Sequence, residues 1–291
     1  MANFKSYCNI KTGSDNILLM GDNTGTPVIA DCDGCNTLIN SLAPDFIVGI
    51  GDWEDDQATT FRNIYTLNNL GGLTKVSVPG NHDFDFIHRT DYNKAFCGGG
   101  YKKIRGVNVD FFLYDLYLND AEDGYYTYIN ASARNEASFK TTKQGIWLLA
   151  EIAASTATWK VVVFHQCCTD WTSGTLVSNL RLDGMKWDWK GYGVDLILNG
   201  HEHFYERLLE ATGSGNIPIV QVGTTGATQN PVPGVPVAGS QYLSGKSVDA
   251  DMDAGNICIL EASPTSLTVK TYGVKDDLTL SALKDTLLLS K

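Results

Sequence analysis

Five short apolar runs, each ending in a residue type that binds metal, constrain this chain more than anything else in it. Ile17-Leu18-Leu19-Met20 precedes Gly21-Asp22, and Phe46-Ile47-Val48-Gly49-Ile50 precedes Gly51-Asp52. Lys75-Val76-Ser77-Val78 leads to Gly80-Asn81-His82-Asp83, and Val161-Val162-Val163-Phe164 leads to His165. Val194-Asp195-Leu196-Ile197-Leu198 runs into Asn199-Gly200-His201-Glu202-His203. A short apolar run closed by Gly and a polar residue is the pattern of a buried parallel strand entering a functional loop. Open α/β sheets bind ligands where such loops gather. Five strands would then deliver Asp, Asn and His side chains to one edge of a sheet, and their convergence would make a two-metal site.

The chain has 291 residues, with 43% hydrophobic content, enough for a real core. Only 19% of residues are charged and 29 are glycine. The usual charged fraction is about 25%, so a loop-rich protein with a neutral surface is expected. A net charge of −11 argues against a broad interface with nucleic acid or an anionic membrane. No run reaches the roughly 20 apolar residues of a membrane span, and Met1 to Lys11 contains no apolar signal-peptide core. A cytoplasmic location is the default expectation, with a secreted or virion-associated one as the alternative. Low charge and abundant glycine also suit attachment to a larger assembly. Seven cysteines at irregular spacings make no disulfide framework. Cys32-x-x-Cys35 lacks the second pair of a zinc site and reads as ordinary thiols near a helix. Vicinal Cys167-Cys168 follows a candidate ligand and reads as shaping its loop.

Strands and helices alternate through most of the chain. Helices are expected at 30–42 (stopped by Pro44), 57–69, 91–96, 141–155 and 183–190, between strands at 45–50, 74–78, 159–164 and 194–199. In the helix at 141–155, Ile146, Leu149, Ile152 and Ala153 share one face. Tyr101 to Tyr117 reads as a hairpin turning at Gly106. The tail is strand-rich at 217–222, 257–261 and 266–272, so a fold that begins as βαβ units finishes antiparallel. The stretch 226–248, with three prolines, reads as a long loop able to wall an active site. No repeat or linker divides residues 1–291, which read as one domain.

The ordered series Gly-Asp, Gly-Asp, Gly-Asn-His-Asp, Val-x-x-His and Gly-His-x-His resembles the calcineurin-like metallophosphoesterases. The closing Gly200-His-Glu-His-Phe-Tyr-Glu-Arg207 most resembles their purple acid phosphatase branch. Framework segments around Gln144, Trp159, Tyr192 and Ser263 extend the similarity along nearly the whole chain. The resemblance implies a four-layer α/β/β/α sandwich with mixed sheets. It also implies a bimetal centre in which Asp52 bridges two divalent or trivalent ions. One ion would take Asp22, Asp52 and His203, and the other Asp52, Asn81, His165 and His201. Carboxylate, amide and imidazole ligands suit Fe, Mn or Zn. Two such ions about 3.5–4 Å apart clamp a phosphate and hold a deprotonated water for in-line attack. By the same resemblance His82 would donate to the phosphate or the leaving oxygen, with Asp83 orienting its ring.

Two positions depart from the pattern. Purple acid phosphatases carry a tyrosine three residues after the bridging aspartate, where this chain has Asp55. Other metallophosphoesterases carry a histidine two residues after the first aspartate, where this chain has Thr24. The first ion therefore lacks one recognised ligand, and Asp55 through water, Glu54 or Asn23 are the substitutes at hand. Four of the five histidines fall on motif positions, and His88 reads as a surface residue. Trp53, Phe84, Phe86, Trp171 and Phe204 read mostly as packing. Tyr205-Glu206-Arg207 reads as structural, with Glu206 and Arg207 paired under the sheet edge.

The leading functional reading is a metal-dependent phosphomonoesterase of acid phosphatase type acting on a small phosphate ester. A phosphodiesterase of the same superfamily is the alternative among enzymes. From another class, a metal-depleted binding or structural module would keep the fold without turnover.

Overall fold

The computed structural model describes residues 8–9, 15–22, 39, 41–53, 74–83, 101–117, 139–166, 185–223, 240–244, 255–275 and 279–291. Two mixed sheets face each other. One has six strands, in the order β14-β13-β12-β2-β3-β4: β2 Asp15–Met20, β3 Phe46–Gly49, β4 Thr74–Ser77, β12 Gly255–Ala262, β13 Ser266–Val274 and β14 Leu280–Ser290. The other has eight, in the order β1-β5-β6-β7-β8-β10-β9-β11. These are β1 Cys8–Asn9, β5 Lys102–Arg105, β6 Val109–Leu113, β7 Trp159–Gln166, β8 Leu196–Gly200, β9 Tyr205–Thr212, β10 Gly215–Gln221 and β11 Ser240–Ser244. Strands β2, β3 and β4 run parallel, as do β6, β7 and β8.

The five loop-bearing strands thus do not share one sheet. Strands β2, β3 and β4 bring their loops from the six-stranded sheet, and β7 and β8 from the eight-stranded one. All five are buried along nearly their whole length, so sequence periodicity cannot assign them to a sheet. The main core lies between the sheets. Ile17, Leu19, Phe46 and Val48 of one sheet meet Phe111, Val161, Val163 and Leu198 of the other, all buried. Each such side chain contributes about 1.5–3 kcal/mol on burial. A second core covers the outer face of the eight-stranded sheet, where helix α1 (Lys143–Ala154) places Leu148 and Ile152 against Phe112, Val162 and Phe164. A third lies outside the six-stranded sheet, where Ile39 and Leu42 pack on Leu18, Met20 and Ile47. Residues 39, 41 and 42 are helical. Layers on both outer faces make the α/β/β/α sandwich.

The hairpin at Gly106 forms as expected, with β5 antiparallel to β6. Helix α1 also forms, capped by Thr142, whose hydroxyl accepts from the Gly145 N–H at 3.0 Å. Its buried face differs from the expectation. Gln144, Gly145, Leu148 and Ile152 point inward while Ile146 is 60% exposed. A polar residue, Gln144, occupies the core because its side chain exchanges two hydrogen bonds with the Asp115 backbone. Over 185–190 there is no α-helix: Met185, Trp187 and Trp189 are buried in alternation with Lys186, Asp188 and Lys190, a period of two rather than 3.6. Within 226–248, residues 240–244 form β11, paired with β9. Strand β14 escapes the sequence reading because it is an edge strand, with only Ser281 and Leu287 buried. Helices expected at 57–69 and 91–96 lie outside the described residues, as does most of 30–42. Among the described residues, no helix is long and apolar enough to cross a membrane.

Polar ties join the two sheets. At the start of β2, Asp15 accepts from the Val107 and Asn108 amides at 2.6 and 2.5 Å, capping the β5–β6 turn. Near the other end, Asp285 on β14 binds Tyr205 and Arg207 on β9.

Candidate metal centre

The cleft between the sheets gathers loops whose backbones are unusual. Asp22, Asp52 and His201 adopt positive φ values of 46°, 51° and 76°. Such conformations are uncommon outside glycine, cost about 1–3 kcal/mol each and concentrate at functional sites. Hydrogen bonds hold them in place. The Asp22 amide donates to the Gly51 carbonyl at 3.1 Å, and the His201 amide donates to Asp22 Oδ2 at 2.8 Å. Gly80 is required by space: a Cβ there would run into the Asp52 carboxylate.

Three ligand atoms surround a fourth, His165 Nε2. His165 Nε2 lies 3.1 Å from Asp52 Oδ2, 3.2 Å from Asn81 Oδ1 and 3.2 Å from His201 Nδ1. Ligand atoms of Asp52, His165 and His201 all fall within 4.8 Å of one another, and all three residues are buried. Donors held about 2.1 Å from a common ion stand about 3.0–3.4 Å apart, and the three distances to His165 Nε2 fall in that range. Protonation sharpens the point. His165 Nδ1 sits 2.7 Å from the Ile50 carbonyl, which can only accept, so Nδ1 carries the hydrogen. In neutral His165 the lone pair of Nε2 then faces the lone pairs of two oxygens, a repulsive arrangement that either a proton or a metal ion on Nε2 relieves.

The titration behaviour agrees. Burial depresses the His165 pKa, but the Asp52 carboxylate, followed by Asp22, outweighs it and carries the group up to about 9. Without metal, a proton occupies Nε2. Burial and then the His165 charge push His201 down to about 3, leaving it a neutral ligand. Burial raises Asp22 well above the usual range, with His165 partly opposing. Asp52 is held below the ordinary range because His165 outweighs its burial.

The remaining candidates lie around this group. Asp22 Oδ1 is 4.0 Å from His165 Nε2 and 3.8 Å from His203 Nε2, with His203 partly exposed. His82 donates its amide to Asp52 Oδ1 at 2.8 Å. Asp83 is fully buried, and its carboxylate accepts the amides of Gly80, Asp52 and Trp53 at 2.6, 2.9 and 2.7 Å. The bonds it makes are to backbone, clamping the β3 and β4 loops together. Burial and then the Asp52 charge raise it to about 7 despite these donors.

Residues 16–205 match the family model of the calcineurin-like phosphoesterases. The chain belongs to that family. No curated protein matches it. Among solved structures, the chain is similar to a purple acid phosphatase from yellow lupin (Lupinus luteus) seeds, at 13% identity and a TM-score of 0.70. That alignment covers 97% of this chain and 55% of the lupin protein, so the chain spans little more than half the length of that relative. PhoD aligns at 11% identity and a TM-score of 0.61, covering 97% and 70% of the two chains. GAP50, described as the anchor in the inner membrane complex of Plasmodium, aligns at 15% identity and a TM-score of 0.60, covering 94% and 88%. At these identities the likeness shows the fold alone.

In this chain the structure brings together Asp22, Asp52, Asn81, His165, His201 and His203, contributed by both sheets. Asn23, Thr24, Glu54, Asp55, Phe84, Phe86, His88, Trp171 and the cysteines at 32, 35, 167 and 168 lie outside the described residues. Trp53 and Phe204 are buried packing residues, and the Trp53 indole donates to Ser77 Oγ at 2.7 Å. The pairing expected for Arg207 is corrected. It binds Asp285, at 2.7 and 3.1 Å, not Glu206, because adjacent residues of a strand point to opposite faces. Sequence reasoning missed the Ile50 carbonyl, which carries no side-chain signal, and Asp285, which lies 78 residues from Arg207.

Proposed function

We propose that this chain hydrolyses phosphate monoesters at a two-metal centre. One ion would be held by Asp52, Asn81, His165 and His201, the other by Asp22, Asp52 and His203, with Fe, Mn or Zn as the ions the donor set suits. The observation that carries the reading is the quartet around His165 Nε2, whose spacing and tautomer call for a cation. Bound ions of this kind supply a deprotonated water at neutral pH and a clamp for phosphate oxygens.

The chain's own groups do the rest. Asp52, fixed through Oδ1 by the His82 amide, presents Oδ2 to the quartet. Ile50 fixes the His165 ring. His82 donates a proton to the departing oxygen. Asp83 serves by positioning: it holds the Gly80 and Asp52 amides, and so keeps His82 beside the Asp52 carboxylate.

A second reading, a fold that binds without turnover, is favoured by Thr24 and Asp55, which stand where relatives place further ligands. GAP50, described as an anchor, shares the fold. Metal analysis combined with hydrolysis of a chromogenic monoester and diester separates the readings. Metal uptake with monoester turnover supports the proposal. Preference for the diester moves it to a phosphodiesterase, and absence of turnover, with or without metal uptake, overturns it in favour of the binding module.

A further inference from the structure

His203 is followed by one residue, Phe204, and then by Tyr205, the first residue of β9. The Tyr205 ring is buried in the core between the sheets. Its hydroxyl crosses to the six-stranded sheet and donates to Asp285 Oδ2 at 2.8 Å. Arg207, on the same face of β9, grips the same carboxylate with Nε at 2.7 Å and its terminal nitrogen at 3.1 Å. Three charge-assisted bonds on one side chain hold the beginning of β9 to β14. The carboxylate is aimed by a break in the ladder. Register shifts between Thr271, paired with Asp285, and Tyr272, paired with Leu283, so Lys284 bulges out.

The pairing pattern shows why this point needs a hold. Strand β10 pairs with β9 only as far as Glu206, leaving Tyr205 to β11 within its own sheet. Further back, the loop is held at His201, whose amide donates to Asp22 at 2.8 Å. The end of β10 and the residues after it also hold the loop: Gln221 Nε2 donates to the Glu202 and Phe204 carbonyls at 3.3 and 3.2 Å, and a Cβ at Gly223 would collide with the Phe204 backbone. His203 lies between these anchors, with Nε2 3.8 Å from Asp22 Oδ1.

We propose that Asp285 is a positioning residue for the weaker metal site: by fixing Tyr205 and Arg207 from the opposite sheet, it sets where His203 stands relative to Asp22. It touches neither substrate nor ion. The inference rests on the proposed metal reading, and it explains why a residue remote in sequence binds both the Tyr and the Arg of the segment that follows the ligands. The alternative is a tie that only stabilises the sandwich, as Asp15 does by capping the β5–β6 turn.

The test uses histidine side-chain NMR on metal-free protein labelled with ¹⁵N-histidine, whose five histidines give a simple spectrum. Asp285→Asn, Tyr205→Phe and the control Asp15→Asn are each compared with wild type, and each is then titrated with Mn²⁺ or Zn²⁺. Asp285→Asn should shift or broaden the His203 ring signals while leaving those of His165 in place. It should weaken the second ion to bind about tenfold, with little change in the first, a loss of the size seen when support behind a ligand is removed. Tyr205→Phe, which removes one bond of three, should show a smaller effect and serves if Asp285→Asn does not fold. Unchanged His203 signals, equal weakening of both ions, or the same His203 response in Asp15→Asn would each overturn the inference. If wild type takes up no metal, the metal reading fails, and the ring signals still decide whether Asp285 positions His203.

Discussion

His165 gives its Nδ1–H to the Ile50 carbonyl at 2.7 Å, and the direction of that bond decides what its other nitrogen can do. A ring anchored in this way turns Nε2 toward Asp52, Asn81 and His201, where a proton or a metal ion can take it. A carbonyl behind a ligating histidine fixes both tautomer and orientation. Ile50 closes β3's apolar run, and the next two residues, Gly51 and Asp52, both have positive φ. One turn therefore supplies a metal ligand and the support for another.

Proton and metal compete for that nitrogen. The His165 pKa is raised to about 9 in the metal-free protein, so the group is protonated at pH 7. Metal loading should release a proton, and affinity should rise with pH up to about 9. The same shift sets a stability trend. A histidine with a raised folded-state pKa stabilises fully below its unfolded value of about 6.5 and loses that contribution as pH climbs through 9. Thermal melts of chelated protein should fall across this window, and added Mn²⁺ should flatten the decline. Calorimetric titrations in buffers of different ionisation enthalpy measure the released proton directly.

Asp83 bears on stability and metal binding together. Replacing it with Ala strips acceptors from three buried amides, those of Gly80, Asp52 and Trp53. Each unsatisfied buried donor costs about 1–3 kcal/mol, and relief of the buried carboxylate offsets part of the sum. The expected net loss is about 3 kcal/mol, with weaker metal binding because the Asp52 backbone loses its hold. Denaturant midpoints of the metal-free variant, alongside metal titrations, check both. Unchanged stability would remove Asp83 from the clamp role.

Much of this was legible in the sequence, and the exceptions have physical causes. The strand-then-ligand pattern located Asp22, Asp52, Asn81 and His165 because a buried strand must be apolar and its loop need not be. The division of those strands between two sheets was hidden because runs buried on both faces look alike. The face of α1 was misread because Gln144 meets its needs through the Asp115 backbone, which no hydrophobicity pattern records. The positive φ of Asp22, Asp52 and His201 was equally silent, being a property of the surrounding bonds.

His82 should separate chemistry from positioning. Its amide already serves Asp52, so His82→Ala leaves that bond intact and removes only the ring. If the ring donates a proton, kcat/KM on esters with poor leaving groups should fall far more than on activated ones. A series of aryl phosphates measures this as a steeper dependence on leaving-group pKa. Equal losses across the series would assign the ring to holding phosphate.

The two ions should differ in tenacity. The quartet around His165 Nε2 gives one of them four protein donors, all within about coordination-shell spacing of that nitrogen. The other has Asp22, His203 and its share of Asp52, with Asp22 and His203 3.8 Å apart and neither recognised additional ligand available at Thr24 or Asp55. Mild chelation of purified protein should therefore remove one ion first, and added Mn²⁺ or Zn²⁺ should restore it. An iron-loaded preparation should be colourless in the visible region, because Asp55 replaces the phenolate whose charge transfer would colour it. Asp55→Tyr should tighten the weaker site and, with Fe(III), introduce that absorption. Metal stoichiometry after stepwise chelation, in wild type and in Asp55→Tyr, reads the difference. Two equally retained ions in wild type would show that another residue completes the weaker site.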